Sequence, residues 1–166
     1  MKRIGMMTDV KDWARLERRF DASIAVVWRM WTEPTLFSAW YGPKGFSVPV
    51  AEMDLEIGGT RKICMEMQTP DRTMTMWFTG VFKEISAPHR LRYTESMCDP
   101  DGNILTPQAM GMPPGTPDVT EVIVDLSEDG GQTVMVMTHV GVPAGSAGEG
   151  GWSQAFEKLA ETLAKA

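Results

Sequence analysis

The last stretch of the chain, Gly150-Gly151-Trp152 through Lys165, limits what the rest can become. Trp152, Phe156, Leu159 and Leu163 recur at intervals of four, three and four. At roughly 100° per residue they fall in one narrow arc of a helix. Ser153, Gln154, Glu157, Lys158, Glu161 and Lys165 take the other side, with Glu161 four residues before Lys165 as a helix-supporting pair. No Pro or Gly interrupts Trp152 to Lys165. So apolar a stripe has to lie on something, and the rest of the chain reads as strands. A sheet wrapped around this helix is the expected solution.

The remaining segments supply that sheet. Trp13 to Phe20 alternates as a first strand with one thin apolar row. Asp21 and Ser23 offer an N-cap for a short helix carrying Ile24, Val27, Trp28 and Trp31. Pro34 opens a second short helix over Thr35 to Trp40, which Tyr41-Gly42-Pro43-Lys44-Gly45 ends. Strands follow at Phe46 to Ile57, Thr60 to Gln68, Thr73 to Ile85 and Leu91 to Met97, with Gly58-Gly59 marking a turn or bulge. Gly80, inside a strand, marks a bulge or close backbone approach. Residues 99–118 form a long loop rich in proline and apolar side chains. Loops of this length are usually lids or disordered insertions. Thr120 to Leu126 and Thr133 to Val140 make a hairpin across Glu128-Asp129-Gly130-Gly131. Pro143 to Gly151 reads as a glycine-rich linker into the final helix.

Residues 1–166 are therefore expected to form one α+β domain, with its core at about 13–165 and a loop insertion at 99–118. The order is strand, two short helices, six strands, long helix. A length of 166 residues suffices for a real core. The net charge of -6, with no basic cluster, argues against nucleic acid or anionic membrane as partner. No run of about 18 apolar residues offers a membrane span, and the N-terminal apolar run is too short for a signal peptide. Cys64 and Cys98 lie in separate strands without a Cys-x-x-Cys, so two reduced thiols in a cytoplasmic protein are expected. The 14 methionines fit irregular core packing or a pliable pocket lining, and the two are compatible.

Several local phrases carry a resemblance. They are Arg19-Phe20-Asp21-Ala22, Trp28, Trp31-Thr32-Glu33-Pro34, Trp40-Tyr41-Gly42-Pro43, Asp54, Gly58-Gly59, Gly80, the Glu84 to Leu91 turn, Thr138-His139, and Gly151-Trp152 with Phe156, Leu159 and Leu163. In this order they resemble the START-like, helix-grip superfamily, also called SRPBCC, in its bacterial branch named after the activator of a heat-shock-protein ATPase. The resemblance runs from about Leu16 to Leu163. It implies a curved antiparallel sheet gripping the C-terminal helix around a cavity, but not one function, because such folds host carriers, hormone-binding proteins, cyclases and chaperone regulators. The chain departs from the branch at Glu56, where an arginine is expected, and at Arg61, where an aromatic is expected.

No catalytic constellation stands out, and neither a metal nor a cofactor is implied. His89 follows Pro88 in a turn and should face solvent. His139 shares a strand face with Met135 and Met137, and reads either as a hydrogen-bonded core residue or as a polar anchor for a ligand. Arg61, if its row faces inward beside Ile63 and Met65, needs a partner. That partner is either Glu95 or Glu56, or a ligand carboxylate or phenolate. The expected pocket is lined by Arg61, Met65, Tyr93, Met135, Met137, His139 and Phe156, with its mouth near Trp40, Met110 and Met112. Met76 and Phe78 alternate with Trp77, so one of these two rows faces outward and could support a homodimer.

The expected function is binding of an apolar small molecule between sheet and helix. A cyclase- or hydrolase-like enzyme using Arg61, Glu95 and His139, and a chaperone-regulating interaction module, are the alternatives.

Overall fold

The computed structural model describes residues 12–108 and 117–165. Seven strands run β1 (Trp13–Phe20), β2 (Ser47–Met53), β3 (Thr60–Gln68), β4 (Thr73–Ser86), β5 (Arg90–Cys98), β6 (Thr120–Asp129) and β7 (Gln132–Pro143). The helices are α1 (Ile24–Thr32), α2 (Pro34–Phe37) and α3 (Ala147–Ala164). The strands form one antiparallel sheet in the order β1-β7-β6-β5-β4-β3-β2. This is the helix-grip α+β arrangement that the sequence implies. Met110 and Met112 lie outside the described residues.

The period-two pattern decides which face is buried. On β7, Thr133, Met135, Met137 and His139 point inward; on β5 the inward row is Leu91, Tyr93 and Glu95. On β3, Arg61, Ile63 and Met65 do the same. Trp152, Ala155, Phe156, Leu159 and Leu163 of α3 are all buried, and the helix lies along β1 and β7. Of the two β4 rows, Phe78 is buried inside and Trp77 faces outward, half-buried, with the Lys62 ammonium 5.3 Å from its ring centroid. The inward row of β1 includes Arg18, whose apolar stem and guanidinium lie over Phe156 while it donates to Ser153 Oγ at 3.2 Å.

Gly80 is a close approach rather than a packing defect. A Cβ built there would stand 1.8 Å from the Thr94 carbonyl oxygen. At this point the Val81 N–H turns to Thr94 Oγ1 at 3.0 Å, and the β4–β5 register shifts between Phe82 and Glu84.

Several boundaries differ from the sequence reading, three of them with a local consequence. The second short helix stops at Phe37 instead of reaching Trp40. The strand expected over Phe46 to Ile57 covers only Ser47 to Met53, because the chain turns tightly through Asp54–Gly59; a Cβ on Gly59 would stand 2.0 Å from the Asp54 carbonyl oxygen. The glycine-rich segment expected as a linker belongs largely to α3, which begins at Ala147. Ser146 caps it by accepting from the Glu149 N–H at 3.5 Å, while the Glu149 carboxylate reaches back to the Gly145 N–H at 2.9 Å. Ser146-Ala147-Gly148-Glu149 thus has the Ser-x-x-Glu spacing of a capping box, with Glu149 taking the N–H one residue earlier than usual. This pairing outweighs the low helix propensity of Gly148, Gly150 and Gly151.

These contacts separate two glycine substitutions. Gly80→Ala, forced against a carbonyl, should destabilise the protein by about 2–3 kcal/mol. Gly150→Ala, whose Cβ meets nothing within 4 Å, should stabilise it by up to ~1 kcal/mol. Urea unfolding followed by circular dichroism checks both signs.

Candidate functional site

The concave face of the sheet is not filled evenly. Toward one end, Trp31, Phe37, Trp40, Tyr41, Trp152 and Phe156 form a continuous aromatic cluster, with centroid separations from 4.6 Å for Phe37–Tyr41 to 6.4 Å for Trp31–Phe37. The indole N–H groups inside it are used: Trp40 donates to the Met30 carbonyl at 2.9 Å and Trp31 to the Met135 sulfur at 3.4 Å. Beyond this cluster the sheet and α3 separate, and a cavity of about 480 Å³ opens between them. Its size falls in the range of small-molecule sites.

The walls come from four places. The 41–46 turn after α2 contributes Tyr41, Pro43 and Phe46; the central strands contribute Met65, Met76, Phe78, Glu95, Ser96 and Met97. The segment between β5 and β6 contributes Leu105, Pro107, Pro117 and Asp118, strands β6 and β7 contribute Thr120, His139 and Val142, and α3 contributes Ala147, Trp152 and Ala155. Close approach is built in on the α3 side, where a Cβ on Gly148 would stand 2.7 Å from Val142 Cγ1. The 41–46 turn is clamped to α3 by the Lys158 ammonium, which donates to the carbonyls of Tyr41, Pro43 and Phe46 at 3.2, 3.2 and 3.4 Å.

Two buried polar side chains stand out in a mostly apolar wall that also holds Ser96, Asp118 and Thr120. The first is His139, which is 5 % exposed. Its Nδ1 accepts from the Trp152 indole N–H at 2.9 Å, so the ring proton resides on Nε2. Nε2 therefore donates to Thr120 Oγ1 at 2.8 Å, and Thr120 donates onward to the Glu95 carbonyl at 3.0 Å. Burial pushes the His139 pKa down to about 4, which keeps the ring neutral. The second group is the Glu95 side chain, 7 % exposed. Burial holds its pKa above the usual carboxylate range, against the opposing pull of Arg61 and of the Tyr41 hydroxyl, which donates to Oε2 at 3.4 Å. Tyr41 is itself raised well above the ordinary phenol value, first by burial and then by the Glu95 charge.

The sequence-predicted site divides into three. Met65 and His139 line the cavity. Trp40, Arg61, Tyr93, Met135, Met137 and Phe156 are packed into the core behind it, none more than 2 % exposed. Met110 and Met112 fall outside the described residues. Inward alternation placed the four strand residues, Arg61, Tyr93, Met135 and Met137, on the correct face, but they are buried in the core.

Arg61 departs furthest from expectation. Its guanidinium lies 3.6 Å from the Tyr93 ring centroid, with Phe37 and Phe82 at 5.3 and 5.9 Å. None of the ion pairs among the described residues includes it, so the expected pairing with Glu95 or Glu56 is replaced by a stack on aromatic faces. Its Nε and Nη2, like the Tyr93 hydroxyl, lack a hydrogen-bond partner among these residues. The sequence reading missed Tyr41 and Thr120 as site residues. Tyr41 could have been found from its place in the Trp40-Tyr41-Gly42-Pro43 phrase, whereas Thr120 carried no signal.

The family model for "Activator of Hsp90 ATPase homolog 1-like protein" matches residues 21–164. Among solved structures, the chain is similar to protein CV1439 from Chromobacterium violaceum, at 24% identity and a TM-score of 0.72 over 92% of this chain and 97% of that one. It is similar to protein NE0264 from Nitrosomonas europaea, at 22% identity and a TM-score of 0.70 over 95% and 97%. The AHSA1 protein SPO3351 from Silicibacter pomeroyi matches at 20% identity and a TM-score of 0.65 over 90% and 96%. No curated protein matches the chain.

The neutral, buried His139 has a consequence for pH. Its folded pKa of about 4 lies below the ordinary 6.5, so between these values the unfolded chain holds more protons. Its contribution to stability is complete above pH 6.5 and is lost as pH falls toward 4, a change on the order of 3 kcal/mol. Glu95, raised above 4.5 in the fold, acts with the opposite sign: its contribution is complete below pH 4.5 and is lost as pH rises. The difference in unfolding free energy between wild type and His139→Gln should therefore shrink steadily from pH 7 to pH 4. A constant difference across that range, measured by urea titration, would contradict the assignment.

Proposed function

Starting from the fact that the chain belongs to the Activator of Hsp90 ATPase homolog 1-like family, we propose that it binds an apolar small molecule in the cavity between its sheet and α3. The observation that carries this reading is the cavity itself. In a helix-grip fold whose other end is packed with six aromatic rings, about 480 Å³ stays open beside a wall of Met65, Met76, Met97, Phe46 and Phe78. Methionine side chains adapt to ligands of varied outline, and aromatic faces offer them broad contact. Burying about 300 Å² of apolar ligand surface there contributes several kcal/mol before ordering costs. Free, buried Cys64 and Cys98 fit a reducing compartment such as the cytoplasm. No helix among the described residues is long and apolar enough to cross a membrane.

The enzymatic alternative has less support. His139 engages both ring nitrogens, with Trp152 and Thr120, so it holds the helix and offers no base to a substrate. Arg61 stands behind Tyr93, away from the cavity wall. Glu95 with Tyr41 is the pair from which acid–base chemistry would have to be built. A chaperone-regulating role rests on the family description alone.

Native mass spectrometry of the protein purified from its own host tests the reading, with Nile red as a neutral probe. Wild type should carry a bound small molecule or take up Nile red at one per chain. Met76→Trp, which places an indole in the half-exposed part of the wall, should weaken dye binding at least tenfold, or about 1.4 kcal/mol. A bare polypeptide mass together with no saturable dye binding would overturn the proposal.

A further inference from the structure

We propose that the cavity selects apolar molecules bearing a positively charged amine, with the Glu95 carboxylate as the group that receives it. This rests on reading the cavity as a ligand site and adds the charge of the ligand. The sequence leaves Arg61 either paired with Glu95 or Glu56 or acting as a clamp for a ligand carboxylate or phenolate. In the structure Arg61 is absent from the cavity wall and Glu95 is part of it.

Among the described residues, the charged side chains in the wall are both acidic: Glu95 in the interior and Asp118 at the exposed edge. The nearby cations are turned elsewhere. Arg61 is 2 % exposed, stacked on the Tyr93 ring and absent from the wall. The Lys158 ammonium is directed at three carbonyls of the 41–46 turn. His139 accepts from Trp152 at Nδ1 and donates to Thr120 at Nε2, so it adds no charge to the wall.

Glu95 feels the Arg61 charge but is poorly hydrogen-bonded for a buried carboxylate. Its side-chain hydrogen bond among the described residues is the 3.4 Å contact from Tyr41, long against the roughly 2.7 Å usual between hydroxyl and carboxylate oxygens. A desolvated carboxylate with one long contact gains most from a partner that supplies charged N–H donors. An ammonium head at Glu95, with its apolar body along Met65, Met76, Met97 and Phe78, completes that pairing. A ligand carboxylate in the same place would meet acceptors of its own sign and no cationic donor, which is discrimination by repulsion. The net charge of -6 favours approach of the cation as well.

Calorimetric titration with octylamine, 1-octanol and sodium octanoate tests this, since the three share one chain and differ in head-group charge. Wild type should bind octylamine about tenfold or more tighter than octanoate, the size expected of one charge-assisted hydrogen bond, with octanol between them. Glu95→Gln should bring octylamine to the level of octanol, whereas Asp118→Asn at the edge should change it by less than about threefold. If Glu95→Gln fails to fold, the wild-type series decides alone. Octanol binding with octylamine no tighter than octanoate would overturn the charge assignment while leaving the cavity reading intact. Absence of octanol binding would overturn both.

Discussion

The fold depends on one contact between helix and sheet: the Trp152 indole N–H donating to His139 Nδ1 at 2.9 Å. A tryptophan on the buried face of α3 brings a large apolar surface and one donor that must find an acceptor. An imidazole accepts there only as the Nε2 tautomer, which Thr120 maintains by receiving that proton and passing its own to the Glu95 carbonyl. One chain of hydrogen bonds thus ties α3 to β7, β6 and β5. It sets how closely the helix lies on the sheet at the inner end of the cavity, and so how much space remains beyond it.

The division between packed core and open cavity follows from which residues can fill a curved concave face. Six aromatic rings from α1, α2, the turn after them and α3 occupy one end, and their polar hydrogens find acceptors on Met30, Met135, Glu95 and His139. The other end is furnished with methionines, small residues and glycines, whose side chains do not span the gap between sheet and helix. Arg61 is the unusual member of the packed part. A buried guanidinium without an ion pair is costly, and here the faces of Tyr93, Phe37 and Phe82 surround it. Glu95, one step along the same face of β5 as Tyr93, feels that charge but remains at the cavity edge of the cluster.

Much of this was legible in the sequence because two periods carried it. Spacing by three and four identified Trp152, Phe156, Leu159 and Leu163 as the gripped face, and alternation put Met135, Met137 and His139 on the concave side. Alternation gives a residue's face, not its depth, and the expected pocket failed there: Tyr93 and Met137 face inward yet are fully buried away from the cavity. The charge seen by the cavity was illegible for a related reason. Whether Arg61 or Glu95 reaches open space depends on a stack against Tyr93 that no sequence pattern encodes. The start of α3 was misread because glycine content outweighed the Ser146–Glu149 spacing, which was present and sufficient.

Those glycines leave the first turns of α3 in an unequal bargain. Gly148, Gly150 and Gly151 each forgo as much as ~1 kcal/mol of intrinsic helical preference, in return for the small cross-section that lets Gly148 rest on Val142. This portion of the helix is therefore borrowed from its surroundings: it keeps its shape while Ser146, Glu149 and Val142 hold it, and has little reason to be helical otherwise. The cavity's outer wall and the seam that closes it are consequently one cooperative object, stable together or not at all.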